Sequence, residues 1–273
     1  MILHNHPIEW YLQKIRAGEH FSLGMYGDGE WQCIFNAFGA KFTQNAEKTD
    51  YTPQLTQRML DSLRFSPNPD KPPFYFAAPD TFKTNAQYFT YEKQIDVILG
   101  RLNRRIEFVE KNVWHREMCE GNLYPVIKEL RSHNLVIVSN KMLRGLDFLK
   151  YDKFVEVGYP NAFQDMQRAV KECLEYGKAG IYIFACGIPA ALFVQALHGK
   201  IKDSWFLDLG SIWDGFVGIG GQRATRREFY LHPEDWLKWV NKNLAGGTVP
   251  WEIKELPKVS WHGMGSLDIN PTL

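Results

Sequence analysis

Rhythm constrains this chain more than any single motif. From residue 122 onward, short continuous apolar runs alternate with stretches whose apolar residues recur at helical spacing. Leu123, Val126, Ile127 and Leu130 mark a helix with Pro125 in its first turn, and "LVIVSN" (135–140) follows as a strand. "FVEVGYP" (154–160) is another strand, and Met166, Ala169, Val170, Cys173 and Leu174 share one helical face. "GIYIFACG" (180–187), the apolar helix "PAALFVQALHG" (189–199) and the strand "SWFLDLG" (204–210) complete the series. Strands that are apolar on both faces and separated by helices belong to a parallel sheet covered on both sides. The expected fold is therefore α/β: a Rossmann-like, mostly parallel sheet with helices on both faces.

The first part of the chain is less regular. "FSLGMYG" reads as a strand, residues 54–63 as a helix through Leu55, Met59 and Leu63, and "FYFAAP" (74–79) as a short strand after a proline-rich loop. Residues 85–118 read as a charge-rich helical region. A late helix, "HPEDWLKWVNKNLAGG" (232–247), precedes a tail without a pattern. With 273 residues and 45% hydrophobic content, one domain over 1–273 is expected, with 217–273 a loop-and-helix extension. Lys plus Arg (32) nearly balances Asp plus Glu (31), which gives no basic bias toward nucleic acid. Cys33, Cys119, Cys173 and Cys186 form no CxxC pair or zinc spacing, so reduced core cysteines and a cytoplasmic setting are expected. No apolar stretch approaches a membrane span.

Ligands of open parallel sheets sit beyond the carboxyl ends of the strands. Four such ends carry chemistry: Gly27-Asp28-Gly29-Glu30, Ser139-Asn140-Lys141, Cys186-Gly187 and Asp208-Leu209-Gly210. Read as extended chain, Asp28 and Glu30 present two hard carboxylates between glycines, a set suited to Mg²⁺ or Mn²⁺ with substrate phosphates completing the shell. The same letters also describe a turn whose acids cap the next helix. The helix after Cys186 and Gly187 offers free backbone N–H groups to a phosphate, or is an ordinary buried βα unit. No GxGxxG or GxxxxGK[ST] is present.

Asp208 and Asp214 are candidates for a general base or for ligands to sugar hydroxyls, and equally for turn caps. Arg223, Arg226 and Arg227 follow a glycine segment that can close over a diphosphate or stay solvated. The histidines show no HExxH and no hydrolase triad.

Two blocks, "MYGDGEW" and "ACGIPAALFVQALHGKIKDSWFLDLGSIWD", occur in order and resemble the GT-D glycosyltransferases, a family once known only as a domain of unknown function. The resemblance spans roughly residues 20–216 and is specific in those two blocks. Where the family often has a His after its Asp-x-Gly, this chain has Ser211. The resemblance implies a nucleotide-sugar donor, expected to be a UDP-sugar, and an acceptor hydroxyl on a glycan, glycoprotein or nucleic acid.

It further implies that Asp28 and Glu30 hold Mn²⁺ or Mg²⁺ on the diphosphate while Gly27 and Gly29 let it approach. Cys186 and Gly187 would face the nucleotide; Ser139 and Asn140, from their strand end, and Arg223, from its basic loop, are expected to join them. Asp208 and Asp214 would face the transferred sugar or acceptor, with Asp214 as the base. Two other readings use the same residues: a metal-dependent phosphohydrolase or phosphotransferase, and a nucleic-acid-binding module built on the arginine loop.

Overall fold

The structure, a computed structural model, describes residues 1–45, 48–84, 89–217 and 233–245. Its centre is an eight-stranded sheet in the order β1-β4-β3-β2-β8-β7-β5-β6. The strands are β1 (Ile2–His4), β2 (Ser22–Met25), β3 (Phe74–Ala78), β4 (Glu107–Glu110), β5 (Leu135–Ser139), β6 (Lys153–Glu156), β7 (Gly180–Ala185) and β8 (Ser204–Asp208). Every neighbouring pair is parallel. The strands β5, β7 and β8 are buried along their whole length, as their unbroken apolar runs require.

Two cores flank the sheet. One face is covered by α2 (Asp28–Asn36), α3 (Pro53–Ser62), α5 (Phe89–Arg101), α8 (Met166–Tyr176) and α9 (Ala190–Leu197), with the short α4 (Thr81–Thr84) adding Phe82. The other is covered by α1 (Ile8–Arg16), α6 (Asn112–Glu120), α7 (Tyr124–Leu130) and α10 (Pro233–Ala245), together with 3₁₀ segments at Lys141–Gly145 and Gly210–Val217. The late helix α10 is part of this core. Trp239 is 7% exposed, its Nε1 donates to the Met118 carbonyl at 2.7 Å, and Asn243 Oδ1 accepts from Leu123 N at 2.9 Å.

Three local features differ from the sequence expectation. Residues 85–118 are not one helical region, because β4 crosses it: Phe108 and Val109 are buried on opposite faces, one in each core. The N-terminal residues Ile2–His4 add a further edge strand beside β4. The residues Asp28-Gly29-Glu30 are not extended chain but the first turn of α2.

Candidate active site

The strand order places a crevice between β2 and β8. The chain leaving β2 enters α2 on one face, and the chain leaving β8 enters the Gly210–Val217 segment on the other. Neighbouring strands whose connections part to opposite faces open a gap at their carboxyl ends, where open α/β sheets bind ligands. The β2–β8 ladder pairs Ser22 with Phe206 and Leu23 with Leu207. Past it, Asp208 continues the join with its side chain: Oδ2 accepts from Met25 N at 3.0 Å, and Oδ1 from Gly210 N at 3.1 Å. Asp208 is 3% exposed and forms the floor of the crevice.

The start of α2 forms one wall. Gly27 precedes the helix, and Glu30 reaches back so that its Oε2 accepts from Gly27 N at 2.7 Å. This is the acidic half of a capping box, and it satisfies an amide the helix leaves free. Of the two acids, Asp28 is exposed and Glu30 half-buried. Capping takes one lone pair of Glu30 Oε2 and leaves the rest of the carboxylate beside the crevice.

The two glycines serve the protein's own packing. A side chain at Gly29 would come within 2.7 Å of Ile188 Cδ1, so α2 lies directly on the chain after β7. The carbonyl of Gly29 accepts from the Tyr51 hydroxyl at 2.9 Å. Next to Gly27, the position a Cβ would occupy lies 3.2 Å from both Cε and Nζ of Lys111. That lysine follows β4, and its amide donates to the Ala78 carbonyl at 3.1 Å, which draws the end of β4 against the end of β3. Its side chain passes over the end of β3 to reach Gly27.

Glu30, Asp208 and Lys111 therefore share one electrostatic environment. Burial pushes the Asp208 carboxyl up to about 8, and the charge of Glu30 adds to the rise. Burial likewise pushes Glu30 up to about 7; Lys111 opposes that shift and Asp28 adds to it. Two acids held near neutral pH at a strand-end crevice are where proton transfer and cation binding are commonly found. The sequence alone does not single out Lys111, because β4, the strand that precedes it, lies inside a charge-rich stretch. Its signal is the short run "FVEK", two apolar residues followed by a charged pair.

The remaining expected residues divide. Ser139 is fully buried, and its hydroxyl donates to the Ala185 carbonyl at 2.6 Å, pinning β5 to β7. Asn140 Oδ1 accepts from Met142 N at 2.9 Å and caps the 3₁₀ turn after β5. Cys186 is 6% exposed, and burial with the nearby Asp208 charge raises its thiol well above the ordinary range, so it is an inert thiol beneath the crevice. Gly187 turns the chain at φ +72° and lies against the Thr49 hydroxyl, which donates to the Pro160 carbonyl at 2.9 Å. Asp214 is half-buried in the segment beyond β8. Arg223, Arg226, Arg227 and the tail lie outside the described residues. Among the described residues, no group of three His, Cys, Asp or Glu side chains could hold a metal ion, and no helix is long and apolar enough to cross a membrane.

The comparisons with known proteins concern the fold. A solved structure described as the highly conserved domain of unknown function 1792, with a distinct glycosyltransferase fold, superposes with a TM-score of 0.57 at 18% identity, covering 78% of this chain and 80% of that one. A new glycosyltransferase (DUF1792) from Streptococcus sanguinis superposes with a TM-score of 0.59 at 15% identity, covering 78% and 83%. No protein-family model and no curated protein matches the chain. The fold is that of the DUF1792 glycosyltransferase structures.

Proposed function

We propose that this protein, which shares the DUF1792 glycosyltransferase fold, is itself a glycosyltransferase that moves a sugar from a nucleotide sugar to an acceptor hydroxyl. One observation carries the reading: the Glu30–Asp208–Lys111 cluster stands at the crevice where the sheet connections part. A hydrolase triad or a thiol nucleophile is not what this edge offers. It offers oxygen ligands and a cation, the equipment for a phosphorylated leaving group.

The donor set fits a divalent cation such as Mn²⁺ or Mg²⁺. Glu30 is a hard carboxylate raised by burial and by the charge of Asp28, which stands exposed beside it, and the charge of Glu30 acts in turn on Asp208. Too few side chains converge for a cage made wholly of protein, which matches ions that keep positions for substrate phosphates. Asp28 and Glu30 would hold the ion, with the buried Asp208 behind them, and the ion would supply Lewis-acid stabilisation of a diphosphate.

The chain's own groups do the rest. The Lys111 ammonium accompanies the negative charge that gathers on the diphosphate as the sugar–oxygen bond breaks and its electron pair leaves with the nucleotide. Asp214, on the same edge beyond Asp208, takes the acceptor proton as the acceptor oxygen bonds to the sugar carbon. Asp208 keeps the floor rigid through two backbone amides. A UDP-sugar as donor, and a glycan or glycoprotein as acceptor, complete the proposal. Four free cysteines, three of them buried, support a reducing compartment such as the cytoplasm.

The test is thermal stabilisation by a panel of nucleoside diphosphates and nucleotide sugars, with and without Mn²⁺, followed by product analysis. Stabilisation by one nucleotide sugar, with release of free sugar or its transfer together with nucleoside diphosphate, supports the reading. Release of inorganic phosphate instead identifies a phosphohydrolase. No nucleotide-linked stabilisation removes the reading.

A further inference from the structure

The first turn of α2 is not the end of its functional face. Asp28, Gln32 and Phe35 recur at i, i+4 and i+7 and so form one stripe along the helix. At the rise of an α-helix, the stripe runs about 10 Å from the crevice. Tyr91 of α5 marks its middle. The Tyr91 hydroxyl accepts from Gln32 Nε2 at 3.1 Å, the ring meets Phe35 edge-on at 5.1 Å, and the charge of Asp28 reaches the phenol.

Beyond Tyr91 the stripe opens into a groove between the end of α2 and α5. It encloses about 630 Å³ and is lined by, among others, Phe38, Phe42, Tyr91, Lys93, Gln94 and Arg101. Phe38 and Phe42 are 38% and 41% exposed, a costly display where most large aromatics among the described residues are buried. They are held in place. Asn36 Nδ2 donates to the Phe42 carbonyl at 2.7 Å while Asn36 Oδ1 accepts from Phe42 N at 2.9 Å, and the Arg101 guanidinium lies 5.5 Å over the Phe38 ring. The lining has no carboxylate.

We infer that this groove is the acceptor subsite and that its occupant is the carbohydrate chain of the acceptor, a reading that rests on the proposed transferase activity. A pyranose has one C–H face and a rim of hydroxyls. The separately presented rings of Phe38, Phe42 and Tyr91 match the faces, and the amide, hydroxyl and cationic side chains between them match the rims. An acyl chain would leave Thr90, Gln94 and the Tyr91 hydroxyl facing hydrocarbon. A sugar chain lying from Phe42 to Tyr91 points its terminal hydroxyl along the stripe toward the donor crevice.

The test measures binding of the neutral trisaccharides maltotriose, cellotriose, chitotriose and mannotriose to the full chain by saturation-transfer NMR. It then compares the double variant Phe38→Ala/Phe42→Ala with Phe38→Tyr/Phe42→Tyr. At least one trisaccharide binds the natural protein. The alanine pair weakens it about tenfold, the tyrosine pair preserves it, and melting temperatures confirm that both fold. Sugar affinity that is indifferent to salt also supports the inference. It is overturned if no trisaccharide binds, if the alanine pair binds as well as the natural protein, or if oligo(dT) displaces the sugar with steep salt dependence. A protein that binds a trisaccharide but no nucleoside diphosphate overturns the acceptor role together with the transferase reading. One that transfers sugar with an unchanged acceptor KM in the alanine pair overturns the groove alone.

Discussion

Two pairs of carboxylates stand at strand ends on the same edge of the sheet, and they are wired in opposite ways. Glu110, at the end of β4, is 1% exposed, and its Oε1 accepts from Asn112 N at 2.6 Å and Asp80 N at 3.3 Å. Asn112 Nδ2 donates in turn to Asp80 Oδ1 at 3.1 Å, so the Asp80–Glu110 pair ties the ends of β3 and β4 to each other. Glu30 and Asp208 accept from backbone amides too, but Glu30 only caps its own helix while Asp208 joins β8 to β2 where the connections part, and the Lys111 side chain reaches Gly27 from a third strand. Acidic residues at a strand end are thus not a site in themselves. Their position relative to the switch in connection direction separates a structural tie from a reactive edge.

The sharpest way to break this comparison is to remove an acid at the reactive edge and, separately, one from the tie. Asp28→Ala and Glu30→Ala are expected to lower the transfer rate by roughly 10²-fold or more, since each would remove a cation ligand from the reacting centre; Asp28→Ala should keep the melting temperature, while Glu30→Ala also uncaps the Gly27 amide at a cost of about 1 kcal/mol. Near-normal turnover in both would place the reaction elsewhere. Lys111→Met comes next, with a loss of about tenfold in kcat and weaker nucleoside diphosphate binding, partly recovered in Lys111→Arg. An unchanged nucleotide affinity would reduce Lys111 to a packing role over Gly27.

Glu110→Ala inverts the pattern. It takes the acceptor from two half-buried amides, Asp80 N and Asn112 N, which costs on the order of 2 kcal/mol of stability. The melting temperature should fall while the rate per folded molecule stays within about twofold. If transfer collapsed as it does in the Glu30 variant, the distinction between tie and reactive edge would fail.

The same contrast explains what could be read from sequence. Strands β5, β7 and β8 are buried on both faces, and burial writes itself into unbroken apolar runs. Strand β4 carries Glu107 on an exposed position and ends in a carboxylate and Lys111, so its four residues vanished into a charged stretch. Asp28, Glu30 and Asp208 were legible because glycines and strand ends frame them. Their geometry was not, since the letters that cap a helix and those that grip a cation are the same. The Glu30 oxygen on the Gly27 amide shows that capping occurs, and capping leaves the carboxylate beside the crevice. Ser139 is the converse case: it stands at the expected strand end, yet its hydroxyl is spent on the neighbouring strand.

The smallest effect concerns pH, and it discriminates between the pairs. Asp208 is held up to about 8 and Glu30 up to about 7 in the fold, against about 4 for a carboxyl in an unfolded chain. The folded state therefore keeps protons that the unfolded state releases, so stability is fully present below about pH 4 and is lost as pH rises through 7 and 8. Glu110 is also pushed up by burial and contributes with the same sign, so the total slope does not identify the pair. Asp208→Asn does. It should flatten the loss between pH 5 and 8 by on the order of 1–2 kcal/mol, read from melting temperature in a chelator. Mn²⁺ binds only ionised ligands, so its stabilisation should grow as pH rises through 7 in the natural protein and in Glu110→Ala, and vanish in Glu30→Gln. Equal Mn²⁺ stabilisation at pH 5 and pH 8 would mean that the ion sits on other ligands, and the crevice pair would then resemble the Asp80–Glu110 tie it is contrasted with.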